Sequence, residues 1–268
     1  MSKLDNASAM QALLTREQMA AVFFEAAVAI KIRKKDLLKW PDDDEHLHQY
    51  RISIRVARSL VKFIKPYQQK EQNQQLKDVL KTLQDPTSRM RELDVLVPLL
   101  ADHPDLQQQV RAVQLETRSA FIANLKSPQV QEAHAFVEQN LKRIAWNKEV
   151  RKKGIDAEAL ASRIRARRDE CEKTLLIVNF DNQEAVHDLR KQAKALRYIA
   201  RELADCLPEG AADVSGQMRE VQDKLGEWCD ARVNSALISE ICGDAGAELS
   251  ASFHQQALDI MEELKAAR

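Results

Sequence analysis

The sequence predicts a soluble all-α protein, and three observations carry that expectation. Ala, Leu, Gln, Glu, Lys and Arg dominate its 268 residues, the usage of good helix formers. Six Gly, seven Pro and 5% aromatic residues are few, and runs of β-branched residues with period two are essentially missing. Capping signals punctuate the chain from end to end. The length suits one large domain or two small ones.

Each element announces its own start. Thr15 with Gln18 forms a capping box for a first helix, which runs to about Leu38 and is stopped by Trp40-Pro41. The acids Asp42-Asp43-Asp44-Glu45 sit at the start of a second helix, where negative charge favours the dipole. Pro66 ends or kinks that helix, and a third covers roughly 68–84. Asp85-Pro86-Thr87 caps a fourth helix to about Leu100, and His103-Pro104 precedes a fifth to about Leu125. Ser127-Pro128 supplies a cap and a first-turn proline for a helix ending near Gly154. Asp156 starts a helix to about Val178. Asn182 caps one to about Cys206, broken by Pro208-Glu209-Gly210. Further helices are expected over about 212–226, 230–242 and 247–266.

Some classes of function are disfavoured at once. Cys171, Cys206, Cys229 and Cys242 lie far apart without a C-x-x-C pair. They suggest neither a zinc site nor a disulfide framework and read as buried thiols in a reducing compartment. The N-terminus lacks the apolar core of a secretory signal. The longest apolar run, at 20–30, is too short to span a bilayer and is interrupted by Glu25. A cytoplasmic protein with no membrane segment is expected.

Two stretches repeat one another. LHQYRISIRVARSLVKF begins at Leu47 and VHDLRKQAKALRYIARE at Val186. Counting from His48 and His187, offset 3 holds Arg51 and Arg190, and offset 7 holds Arg55 and Lys194. Offset 10 holds Arg58 and Arg197, and offset 14 holds Lys62 and Arg201. The chain reads as an internal duplication. At helical spacing these offsets fall within a sector of about 80°. Apolar residues such as Ile54, Leu60 and Phe63, or Leu189, Leu196 and Ile199, fill most of the remaining circumference. Each helix is therefore expected to be largely buried, with one cationic stripe about 21 Å long.

The simplest explanation of such a stripe is the solvent edge of a core helix. Solvated faces usually mix signs, because Glu and Lys four apart support a helix. Residues 46–70 contain no acid, although the chain balances 41 Lys+Arg against 41 Asp+Glu. Like charges one turn apart repel, and here they do so twice in register. The stripes read as built for an anion. Arginine matches phosphate oxygens bidentately and lysine adds point charge, so two long stripes suit an extended polyanion. Polyphosphate, nucleic acid and a poly-acidic protein all qualify. Neutral net charge disfavours nucleic acid, as does the lack of aromatics on the stripe apart from Tyr198 at its margin.

These residues resemble a known family. His48-x-x-Arg51-x-x-x-Arg55-x-x-Arg58 and His187-x-x-Arg190-Lys191-x-x-Lys194-x-x-Arg197-Tyr198 look like the two signature helices of the CHAD domain, the conserved histidine α-helical domain. Met90-Arg91-Glu92-Leu93-Asp94-Val95 and Gln222-Asp223-Lys224-Leu225-Gly226-Glu227-Trp228-Cys229-Asp230 are similar to its two later motifs, with Glu92 where the family carries Asp. The resemblance covers roughly residues 10–265. It implies two four-helix bundles related by a pseudo-twofold, 1–126 and 127–268, with the stripes lining a central groove or pore. It further implies binding of inorganic polyphosphate, at polyphosphate granules in some bacteria.

On this reading Arg51, Arg55, Arg58, Arg190, Lys194 and Arg197 contact the ligand. Lys62, Lys191, Arg201 and Tyr198 flank them. His48 and His187 either donate to phosphate or serve the fold. A metal site is disfavoured because His46 and His48 point about 200° apart on a helix, and no cofactor is expected. Arg91 reads as an ion-pair partner of Asp94, Asp230 as a cap, and Trp146 and Trp228 as core. The clusters Lys31–Lys35 and Arg163–Arg168 read as mostly solvated. Catalysis on polyphosphate, or a scaffold for another polyanion, are the alternatives to simple binding. Catalysis is disfavoured because no Walker-type glycine loop and no acidic pair lie on the stripe face.

Overall fold

A computed structural model describes residues 3–208 and 213–266. Within them the chain is helical, and the only strand-like pairing is an isolated bridge between Gln68 and Trp146. Eleven α-helices are described: α1 (Lys3–Lys39), α2 (Asp44–Phe63), α3 (Lys70–Gln84), α4 (Thr87–Leu99), α5 (Pro104–Leu125), α6 (Pro128–Lys142), α7 (Lys148–Lys153), α8 (Ala157–Ile177), α9 (Gln183–Glu202), α10 (Val214–Cys242) and α11 (Ala247–Ala266).

The stripe helices begin where their caps place them. The Asp43 carboxylate accepts from the Glu45 backbone N–H at 2.8 Å, and Asp44 and Glu45 occupy the first turn of α2. The Asn182 side chain accepts from the Ala185 N–H at 3.1 Å and opens α9. Ser127 and Asp156 cap α6 and α8 as expected.

Three boundaries differ from expectation. Thr15 opens no helix: α1 already starts at Lys3, and the buried Thr15 hydroxyl donates to the Gln11 carbonyl inside it. The helix expected to end near Gly154 breaks after Lys142, because residues 144–147 run extended beside residues 67–69 and exchange backbone hydrogen bonds with them. Asn147 then caps the short α7 through the Val150 N–H. Conversely, the helices expected at 212–226 and 230–242 are one continuous α10. Of the expected break at Pro208-Glu209-Gly210, Glu209 and Gly210 lie outside the described residues. Gly154 has φ +78°, and a Cβ there would meet the Ala12 backbone at 2.3 Å, so only glycine lets α7 seat against α1.

Packing places α2 and α9 at the centre. Helix α2 touches α1, α3, α4 and α9, while α9 touches α2, α8 and α10. One apolar cluster runs from Met19 on α1 to Met261 on α11, taking in Leu60 and Phe63 of α2 and Leu189, Leu196 and Ile199 of α9. Each such buried side chain stabilises the fold by roughly 1.5–3 kcal/mol. A smaller cluster joins α4, α5 and α10 through Leu93, Leu96, Val110 and Ile238. The four cysteines are free and buried. Among the described residues no helix is long and apolar enough to cross a membrane.

Candidate functional site

With most of their circumference committed to the core, α2 and α9 can expose only their cationic edges, and the packing turns those edges toward each other. His48 lies within electrostatic range of Lys194, and His187 within range of Arg55. Arg51 likewise feels Arg190. Offset 0 of each stripe thus lies near offset 7 of the other, and offset 3 near offset 3, so the two stripes cross antiparallel.

Between them opens a cavity of about 640 Å³. Eight of the twelve expected residues line it: His48, Arg51, Arg55 and Arg58 from α2, and His187, Arg190, Lys191 and Lys194 from α9. Lys62, Arg197, Tyr198 and Arg201 do not. Tyr198 is only 2% exposed, with Arg197 4.8 Å and Arg201 5.5 Å from its ring centre, so it anchors those two arginines rather than facing the groove. Arg201 additionally pairs with Glu202. Lys62 is exposed beyond Arg58, toward Lys77 and Lys191.

Helices α4 and α10, with the C-terminal end of α3, close the cavity and supply what the stripes lack. Arg51 donates to the Thr87 and Ser88 hydroxyls at 2.7 and 3.0 Å, and Arg58 to the Gln84 amide oxygen at 2.7 Å. These neutral acceptors orient the guanidinium groups without cancelling their charge. Arg190 meets the Asp230 carboxylate at 3.4 Å, and Lys191 pairs with Asp188 at 2.5 Å. The side chains of Arg55 and Lys194 make no hydrogen bond or ion pair within the described residues.

Arg91 and Arg232 also line the cavity, and stripe periodicity does not reveal them. Arg91 was expected to pair with Asp94. The buried Asp94 instead accepts from Arg118 and Gln114, which leaves Arg91 in the groove. Asp230 caps no helix: it lies in the middle of α10 and faces Arg190. Trp228 is core, 3% exposed, yet its edge reaches the cavity with Arg232 4.8 Å from its ring centre. The basic clusters divide. Lys31 pairs with Glu138, Arg33 with Asp36 and Arg165 with Glu158 at the surface, while Arg163 and Arg167 stack on Phe63.

The cavity wall therefore carries eight cationic side chains against three acids, Asp85, Glu92 and Asp230. This crowding shows in the titrations. Burial, reinforced by Arg55, Arg190, Arg51 and Arg197, pushes the Lys194 ammonium down to about 7. Burial, aided by Arg51, lowers Arg55 too, though a guanidinium keeps its proton. Burial first and neighbouring cations second hold both His48 and His187 below the usual imidazole range, so they are neutral N–H donors at neutral pH. Among the described residues the buried Nδ1 of His48 has no hydrogen-bond partner, and that of His187 lies 3.9 Å from the Cys229 sulfur.

Known structures share this architecture. The crystal structure of the CHAD domain from the plant Ricinus communis superposes with a TM-score of 0.69 at 18% identity, covering 95% of this chain and 86% of that one. PptA from Streptomyces chartreusis superposes with a TM-score of 0.73 at 13% identity, covering 94% and 96% respectively. At such identities the likeness establishes the fold alone. A search of curated proteins returns no match. The sequence itself matches the CHAD domain family over residues 24–239, a span holding both stripe helices, α4 and nearly all of α10, and the chain belongs to that family.

Proposed function

We propose that the groove between α2 and α9 binds inorganic polyphosphate and performs no chemistry on it. The observation that carries this reading is the meeting of two cationic stripes across one cavity, with Arg55 and Lys194 at its heart making no ion pair among the described residues. Eight cationic side chains against three acids, surrounding about 640 Å³, call for a densely charged ligand. A polyphosphate chain offers regularly spaced phosphoryl oxygens that several guanidinium groups can grip at once. The exposed Lys191 on the cavity wall and the exposed Lys62 outside it continue that path toward solvent. The apolar part of the wall comes from Ile52, Val95, Val233 and Trp228, and the Trp228 ring is covered by Arg232, which leaves it no open face for a base.

Two of the three acids, Glu92 and Asp230, argue for binding over catalysis, and the third, Asp85, pairs with Lys81. Glu92 feels Arg51 and Asp230 pairs with Arg190, so these carboxylates turn toward arginines rather than converging on a magnesium ion. Location at polyphosphate granules in the cytoplasm belongs to the same proposal, supported by the family resemblance.

Titration with polyphosphates of defined length at two salt concentrations tests the reading. Affinity is expected to fall steeply with salt, as for other phosphate polymers. The double reversal Arg55→Glu/Lys194→Glu is expected to abolish binding while circular dichroism stays helical. Survival of binding in that variant would place the ligand elsewhere, and phosphate release by the wild-type protein with magnesium would reverse the assignment of a purely binding role.

A further inference from the structure

Resting on the polyphosphate reading, one acid of the groove takes on a distinct duty. Arg51 and Arg190, at offset 3 of their stripes, each face a carboxylate, Glu92 from α4 and Asp230 from α10. The two acids are held differently. Glu92 is half-buried between Arg51 and Arg89, and Arg89 is itself anchored to Glu240 on α10 by bonds of 2.7 and 3.0 Å. Asp230 is 56% exposed and reaches Arg190 through a single contact of 3.4 Å, long for a charge-assisted hydrogen bond. An exposed pair of that kind contributes little stability. Meanwhile Arg190, only 17% exposed, keeps its Nε buried with no hydrogen-bond partner among the described residues, so Asp230 leaves donor capacity of the guanidinium unused. A phosphate group can present two oxygens to the same fork.

We propose that Asp230 is a displaceable counter-ion: it holds Arg190 in position while the groove is empty, and the incoming phosphate chain takes its place. The exchange needs little rearrangement, because the Asp230 side chain already borders solvent. It also makes wild-type affinity lower than the cations alone would give, since a carboxylate remains beside the bound chain. Arg190 then releases an internal carboxylate rather than a salt ion when it binds, and the salt dependence is shallower by about one contact.

The test is Asp230→Asn, which keeps the size and removes the charge, measured with polyphosphate of one defined length across a salt series. The expected result is roughly fivefold tighter binding and a log–log salt slope steeper by about 0.7–0.9. Asp223→Asn, on α10 outside the cavity, is the charge control and should leave both quantities unchanged. If the asparagine lowers the melting temperature, Asp230→Glu gives the second reading: a longer acid that pairs better with Arg190 should bind polyphosphate more weakly than wild type. Equal or weaker binding by a folded Asp230→Asn overturns the inference while the functional reading stands. Failure of the wild-type protein to bind removes both.

Discussion

An ammonium group set among guanidinium groups in a half-buried groove gives up its proton easily, and Lys194 does so near pH 7. A phosphate chain favours the charged form, so binding above that pH draws a proton from solvent. Affinity for polyphosphate is therefore expected to decline as pH rises past 7, by at most about tenfold per pH unit. Calorimetry in buffers of differing ionisation heat should record the proton uptake, and Lys194→Met should abolish it. The sign for stability is opposite. The folded value lies below the unfolded one of about 10.5, so the unfolded chain binds more protons in between. The empty protein should thus gain stability as pH climbs through that window. A pH-independent affinity with Lys194 in place would show that this side chain does not meet the ligand.

At the scale of elements, α4 is a rack. Its first turn holds Arg51 through Thr87 and Ser88, and its buried Asp94 ties it to α5 through Arg118. Arg118 also reaches Asp44 and the Pro41 carbonyl, so the same guanidinium fixes the start of α2. Removing it as Arg118→Met strands the Asp94 carboxylate in the core, which is expected to cost about 3–5 kcal/mol. Chemical denaturation measures that loss, and a change below 1 kcal/mol would mean that Asp94 is not charged in the folded protein. This network lay beyond sequence reasoning. Asp94 and Arg91 stand three apart on one helix and look like a local pair, whereas the true partner comes from α5. The continuous α10 was hidden for a related reason: Asp230 reads locally as the cap of a new helix, but burial of Leu225, Trp228 and Ala231 carries the helix through.

For the whole molecule, neutrality conceals segregation. The 41 acids and 41 bases cancel in sum, yet the groove keeps eight cations against three acids. That repulsion is stored in the empty fold, and a bound polyanion is expected to relieve it. At a free concentration of a hundred times Kd, polyphosphate is expected to stabilise the protein by about 2.7 kcal/mol. For a chain of this size that raises the melting temperature by roughly 5–10 °C. Scanning fluorimetry should show a smaller rise with single-stranded DNA of matched charge. Equal rises would favour a general polyanion scaffold.

The sequence alone determined what depends on local order: helix content, most cap positions, and a cationic edge on each of two otherwise apolar helices. Periodicity conveys these because a helix assigns faces by counting residues. Only the tertiary structure decided what those edges meet. It brought Arg55 and Lys194 together, admitted Arg91 and Arg232, withdrew Tyr198 into the core, and set Asp230 against Arg190. Such choices depend on how helices distant in sequence cross, and the spacing within any one of them does not encode that.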